Sequence, residues 1–521
     1  MLALALSPTA SASPLTTLRH DGEAYVREDP YLPATSSLPR ARSAARAPRS
    51  STTGLRAQAA ARAPKRTVRG ELARMLAAAA IDQATHDTHR ATYADAQRLL
   101  RKLRGARRAA MGAVLTNLDQ VAARGDLDAS RLPELFETVA RNRQWWSNGP
   151  LLSYGRRVSF QGSPLVWQYY TGEGLQIQWL GTFGKANALW KSRTHDEDLR
   201  TLLDEALRLA AQRAGGIAFE YLFDFDGGRP PWVSGLAQGT AVQALARAAV
   251  RLDEPRYFES ARAGLGVFRE APPSGVRAST AVGAHYLIYS FAPGLRVLNA
   301  FTQAVNGLHD FALLANDADA KALFAAGEAQ LRSELGAYDT GAWSRYSLQR
   351  EADLSYHKLA RDFLGNLCTR LEEDAARPAA GSAPVPGAAP TGGAVPTAAP
   401  PAAAVPLADP TPYCAAATRF SSYLRQPPVV ALVSRRARAG KRALLKLSLS
   451  KPADVKLAVV RDGRTVAVLS SRLGSGQRTL VWARPRTPAT YTIMLRATDL
   501  AGNVGSARGE LELLKAPRKK R

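Results

Sequence analysis

The feature that most limits how this chain can fold is a change in its apolar spacing at Pro427-Pro428. Upstream, apolar residues recur at helical intervals in segments near 197–213, 235–252, 255–269, 296–316, 319–336, 356–374 and 412–424. Downstream the period falls to two, in runs that include 444–449, 455–460 and 491–495, with turn residues such as Asp462-Gly463 between them. A pattern of one period cannot bury its apolar face in the other kind of element. The 521 residues therefore hold at least a helical assembly and a separate β-sandwich, and the helical part is expected to fold without the sandwich.

The same reading divides the whole chain. Residues 1–70, rich in Pro, Ser, Ala and Arg, are expected to be a disordered basic segment. The opening MLALALSPTASAS has a short apolar stretch and an Ala10-Ser11-Ala12 cleavage-like site but no basic residue, so a signal-peptide remnant and a plain Ala/Ser tail both stand. Residues 71–144 are helical by period, and 145–195 form a small aromatic-rich β region. Residues 196–427 read as antiparallel helices closing into an (α/α) toroid, which makes the fold class mainly α. The Ala/Pro/Gly run at 375–410 cannot bury a core. Since Tyr413, Phe420 and Tyr423 begin one more amphipathic helix beyond it, the run is placed inside the last helical hairpin. Residues 428–515 form the sandwich, whose YTIMLRATDLAGNVGSA ending resembles immunoglobulin-like and fibronectin-like modules, and 516–521 is a basic tail.

A net charge of +26 raises nucleic acid as a partner, but the charge is divided as about +11 over 1–110, about −3 over 111–410 and about +18 over 411–521. Because the middle is not basic and no nucleic-acid motif stands out, nucleic acid is not expected. Basic ends fit attachment to an anionic surface such as a cell-wall polymer. No apolar run reaches the about 18 residues of a membrane span.

Several chemistries lose their support. There is no phosphate-binding Gly-rich loop and no Gly-x-Ser-x-Gly elbow. His86 and His89 lack a third ligand nearby, so no metal is expected. Glu220, Asp224, Asp226, Asp339, Glu351 and Asp353 are loop acids from which no catalytic pair can be chosen. Tyrosines are more informative. Tyr289, Tyr338, Tyr346 and Tyr356 lie in two loop-rich stretches with Arg345, Arg350 and Arg361 close in sequence to the last three. A nearby cation stabilises the phenolate that a tyrosine base requires. Cys368 and Cys414, the two cysteines, fall on the two helices of the interrupted hairpin, where they are either buried thiols or, outside the cell, a disulfide.

Four segments, PWVSGLAQGTAVQALARA (231–248), YSFAPGLRVLNAFTQAVNGLHDF (289–311), YDTGAWSRYSL (338–348) and SYHKLARDFL (355–364), resemble in order and spacing the C-terminal domain of the D-glucuronyl C5-epimerase family. The resemblance covers about 145–428. It implies cofactor-free inversion at carbon 5 of uronosyl residues in an acidic polysaccharide, in an extracytoplasmic setting, and allows a homodimer. It also implies that Tyr289, Tyr346 and Tyr356 are the acid/base groups, converging on one cleft with an arginine. Arg345, Arg350, Arg361, Trp232, Gln238, Asn299 and His357 are the expected substrate contacts. The chain departs from the animal enzymes at Leu287-Ile288, where they carry an acidic pair, at Gln349, where an arginine is displaced to Arg350, and at Ala360, where a histidine is missing. A polysaccharide lyase or other glycan enzyme on the same toroid is the nearest alternative, followed by a noncatalytic protein that binds wall glycan.

Overall fold

A computed structural model describes residues 13–33, 66–377 and 408–515. The chain forms two compact units, residues 1–295 with 303–327, and residues 296–302 with 328–521.

The first unit begins with strands Ser13–Leu18 and Ala24–Asp29, where disorder was expected. Their partners explain the difference. Ser13–Leu18 pairs in parallel with Arg157–Phe160, more than a hundred residues away, and no local window contains that ladder. The resulting five-stranded sheet continues through Ser163–Tyr170 and Gly174–Ile177. Residues 1–12 and 34–65 of the segment expected to be disordered, together with the signal remnant, the centre of the Ala/Pro run and the basic tail, lie outside the described residues, and residues 68–70 already belong to a helix.

Helices Val68–Ala77, Gln83–Lys102, Gly105–Arg124 and Leu132–Asn148 precede the sheet. Their ends are marked in the sequence. Asp82 accepts a hydrogen bond from the Thr85 amide at 2.7 Å, and Gly125 takes a left-handed φ of 82° just past Arg124. The expected β region is narrower than 145–195, because Trp179–Ser192 is a helix. Trp179, Phe183, Ala186 and Leu189 share its buried face at helical spacing. Helices Asp196–Arg208, Gly235–Leu252, Arg256–Ala263, Leu298–Leu314 and Ala318–Glu334 follow near the expected positions, the last two each divided between the units. No helix among the described residues is long and apolar enough to cross a membrane.

In the second unit, helices Leu354–Ala375 and Thr411–Tyr423 are joined by a Cys368–Cys414 disulfide with Cα atoms 5.0 Å apart. Beyond Pro428 a three-stranded sheet (Val430–Leu432, Ala443–Leu449, Gly476–Trp482) and a five-stranded sheet close on one apolar core. The five-stranded sheet runs in the order Arg436–Arg438, Val504–Leu514, Ala489–Asp499, Ala453–Arg461, Arg464–Leu473. Its alternation is clean: Val455, Leu457 and Val459 point inward while Asp454 and Lys456 are exposed. Asp462 and Gly463, both at positive φ, turn the hairpin between the last two strands. Helices dominate before Pro428 and strands after it, a mixed α and β content compatible with the expected mainly α body carrying a β-sandwich.

The unit boundary does not fall at Pro427-Pro428. The buried Lys451 ammonium donates to the carbonyls of Tyr423 at 2.7 Å and Gln426 at 2.6 Å, and pairs with Asp499 at 3.1 Å. The Asn503 amide reaches the Leu424 carbonyl at 2.8 Å. The sandwich thus supplies the donors for the end of the last helix.

Candidate active site

In the first unit the WVSGLAQG segment builds a scaffold for Tyr289. Strand Trp232–Val233 exchanges hydrogen bonds with Ser290, from Ser290 N to Val233 O at 3.0 Å and from Val233 N to Ser290 Oγ at 3.1 Å. Ser234 caps helix Gly235–Leu252 by accepting from Ala237 N at 3.3 Å. Gly235 has no side chain because a Cβ would lie 2.5 Å from the Leu287 carbonyl, and a Cβ on Gly239 would lie 2.7 Å from the Ala304 Cα. The motif is therefore largely a set of close backbone approaches.

Tyr289 stands half-buried in an aromatic cluster. Its ring stacks on Phe291 at 5.1 Å and meets Trp232 edge-on at 5.4 Å. Trp232 is buried, stacks on Tyr221 at 4.3 Å and donates its indole N–H to Phe223 O at 2.9 Å, so it shapes the cluster from beneath. Gln238, expected as a substrate contact, is instead engaged by the backbone around it. It is 1% exposed; its Oε1 accepts from Phe219 N at 3.2 Å and its Nε2 donates to Ile217 O and Gly264 O at 3.2 and 3.1 Å. An amide with three backbone partners is a structural strut.

Of the loop acids, Glu220 is fully buried between Arg131 and Arg213, which removes it from chemistry. Glu173, which sequence reasoning does not single out, is half-buried. Burial, followed by the negative charge of Asp224, pushes its carboxyl up to about 7, within reach of proton transfer at neutral pH. Its Thr-Gly-Glu-Gly turn carries no signal, because Asp224 comes from a segment 51 residues on.

In the second unit the Tyr-Asp-Thr-Gly turn locks itself. Thr340 Oγ1 accepts from Trp343 N at 2.9 Å, Asp339 accepts from Gly341 N at 2.9 Å, and Gly341 sits at a φ of 80°. Tyr338, the fourth tyrosine of these stretches, is fully buried against Glu334, and burial and that carboxylate raise its hydroxyl well above the ordinary value. The turn leads into hairpin Arg345–Ser347 and Arg350–Glu351, which presents Tyr346. Asp353 then caps helix Leu354–Ala375 through the Tyr356 amide at 2.9 Å, setting Tyr356 in the first turn.

These elements bring Tyr346, Tyr356 and Arg350 together. The two phenol rings are 4.5 Å apart and tilted by 50°, and the Arg350 guanidinium lies 4.5 Å above the Tyr346 ring. Rings in such contact leave no space for a sugar between them, so this pair cannot flank a substrate on opposite faces. Val297 bridges Ser347, which sets buried Asn299 at the start of its helix beside the same strand. Arg345 donates to its own hairpin at Leu348 O, 3.3 Å, and Arg361 pairs with neighbouring Asp362 at 2.6 Å.

His357 is a correction. Its ring is fully buried and stacks on Trp343 at 3.8 Å. Nε2 lies 2.9 Å from Phe420 O, while Nδ1 is 3.2 Å from Ser344 N and 2.7 Å from Ser344 Oγ. A carbonyl on one side and a backbone N–H on the other require a proton on Nε2 and a lone pair on Nδ1, which fixes one neutral tautomer. Burial holds its pKa down at about 4. No valence remains for substrate; the ring joins the turn to helix Thr411–Tyr423.

Residues 214–377 match the family described as the D-glucuronyl C5-epimerase C-terminus. A D-glucuronyl C5-epimerase of Caenorhabditis elegans is 32% identical over 145 residues, covering 25% of this chain and 24% of that protein. The chain thus spans about a quarter of the length of the curated relative it matches. Among solved structures, an endo-β-1,4-glucanase of Acetobacter xylinum aligns over 51% of this chain and 93% of its own at 15% identity and a TM-score of 0.29. The fibronectin(III)-like modules of Clostridium thermocellum CbhA align over 17% and 100% at 17% identity and a TM-score of 0.14. The family relationship expected from the four motifs is supported by both sequence comparisons.

Proposed function

Taking as premise that residues 214–377 belong to the D-glucuronyl C5-epimerase family, we propose that the chain is a carbohydrate epimerase acting on uronic-acid-containing polysaccharide. The observation that carries this reading is that the family match encloses the aromatic-cluster, hairpin and helix-start segments that hold Tyr289, Tyr346 and Tyr356.

In the proposed reaction a phenolate removes the proton from carbon 5. The C–H electron pair passes into the adjacent carboxylate as an enediolate, and a phenol returns a proton to the opposite face of the ring. The balance is one proton out and one in, so no oxidant or cofactor is consumed. Arg350 is proposed to hold the carboxylate and take up the developing charge. Tyr346 or Tyr356, which lie together on one side, supplies one of the two groups in its company, and Tyr289 is a separate acid/base candidate. The toroidal closure of helices 196–427 and an immunoglobulin-like identity for the sandwich belong to this proposal, as does an extracytoplasmic site of action, with which the disulfide is compatible.

The test is incubation with polyglucuronate in heavy water. Deuterium at carbon 5 together with iduronate in the product supports the proposal. An unsaturated uronate absorbing in the near ultraviolet favours a lyase instead, and unchanged polymer with no deuterium overturns the enzymatic reading.

A further inference from the structure

Charge in the sandwich is arranged as well as abundant. Residues 430–515 contain 17 Lys and Arg against 5 Asp and Glu. The outer face of the five-stranded sheet carries a part of this excess in fixed register. Lys456 stands directly opposite Arg496 on the neighbouring strand, and Arg508, one strand further, faces Met494 and so lies diagonal to Arg496. All three cations are exposed.

Like charges directly opposite in an antiparallel pair destabilise a sheet. Nearby carboxylates do not relieve this. Asp454, two residues before Lys456 on the same face, is held by both Nε and Nη2 of Arg472 at 3.0 and 2.8 Å, and Glu512 pairs with Arg436 at 2.9 Å. Among the described residues no carboxylate forms an ion pair with Lys456, Arg496 or Arg508, and the exposed Glu510 is one row further along.

We propose that this face binds an acidic polysaccharide chain. An opposed cation pair that costs the folded sandwich stability gains it back when a polyanion lies across the strands and releases its counterions. Arginine forks suit carboxylate. Met494 and Val468, 54% and 57% exposed, lie in the row of Arg508, next to that of Lys456 and Arg496, and offer apolar contact to sugar rings. The strands present no aromatic side chain on this face for base stacking, which favours polysaccharide over single-stranded nucleic acid. The sandwich would then hold the polymer on which the epimerase-like region works. The choice of a uronate polymer rests on the proposed function; the polyanion-binding face does not.

The experiment compares the full chain with a Lys456→Gln/Arg496→Gln/Arg508→Gln variant, using polyglucuronate, neutral dextran and a 30-base-pair DNA duplex as probes. The parent is expected to bind polyglucuronate and not dextran. The variant is expected to bind it at least tenfold more weakly at low salt, with the log–log salt slope reduced in magnitude by about 2. The variant should melt no lower than the parent, because the opposed charges are gone. Equal binding of polyglucuronate by variant and parent, no binding by the parent, or tighter binding of the duplex than of polyglucuronate would each overturn the proposal. Deuterium exchange on a short uronate oligosaccharide that does not bind the cationic face should be equal in the two proteins. Failure of exchange with binding intact counts against the epimerase reading alone.

Discussion

Replacing Lys451 with methionine tests how the sandwich is joined to the last helix. The ammonium and its partner carboxylate are 1% and 0% exposed, and the nitrogen also satisfies two carbonyls at the end of helix Thr411–Tyr423. Methionine retains most of the stem volume, so little cavity is left. The loss comes from Asp499, stranded as an uncompensated buried charge, and from two carbonyls without a donor. Removing one partner of a buried pair costs about 3–5 kcal/mol. For a unit of about 200 residues this corresponds to a melting temperature lower by about 6–20 °C. Urea unfolding followed by tryptophan fluorescence is a suitable assay, because Lys451 lies 5.5 Å over the Trp343 ring. Adding Asp499→Asn removes the stranded charge while keeping an acceptor for the Ala501 and Asn503 amides at 2.9 and 2.8 Å, so the double variant should recover at least half of the loss. If Lys451→Met stays within about 1 kcal/mol of the parent, the tie is not energetic, and a chain ended near Gln426 should fold as the apolar periods alone predict.

Three further outcomes follow from the site and core. Tyr346→Phe and Tyr356→Phe, and separately Tyr289→Phe, should each lower deuterium exchange about 10²–10⁴-fold with little change in melting temperature; exchange at the parent rate in all three would return them to rim aromatics. His357 is held neutral with a folded pKa of about 4, below its ordinary 6.5, so stability should fall as pH drops from about 6.5 towards 4. Urea midpoints at pH 7 and 4.5 should show this in the parent and much less in His357→Gln. Glu134 is fully buried, and burial, then Glu220, raise its pKa well above 4.5, so its contribution is complete in acid and is lost as pH rises. Glu134→Gln, which keeps an acceptor for the Trp179 indole, should flatten the decline in urea midpoint between pH 5 and 9; an unaltered slope would refute the assignment.

What could be read from the sequence was local. Helical period located the helices from 196 to 424, although 197–213 ran past Arg208 over strand Ala211–Arg213, and alternation found the sandwich strands, because both follow from which face is buried. Strand Ser13–Leu18 escaped, since its ladder partner is Arg157–Phe160 and six residues of weak alternation do not announce a distant edge. Motif residues were the hardest to rank. Gln238 and His357 occupy family positions and look like ligands in a list of polar residues. Only the positions of Phe219, Gly264, Ser344 and Phe420 reveal that their hydrogen-bonding capacity is used internally. Lys451 was invisible for the converse reason: a lysine among 70 cationic residues reads as surface until two carbonyls and a carboxylate close around it.

The Cys368–Cys414 bond closes an interval of 46 residues. In an uncrosslinked hairpin, longer connections make the helices harder to bring together, though only as the logarithm of length. Once the sulfurs are joined, that dependence disappears, and the two helices stay partners however long the intervening chain becomes. Evolution is then free to lengthen, shorten or recode the Ala/Pro run without renegotiating the hairpin. A protease cut within it would yield two polypeptides that still travel as one molecule. Whether they remained so would depend on the reducing power of the surroundings rather than on the continuity of the backbone.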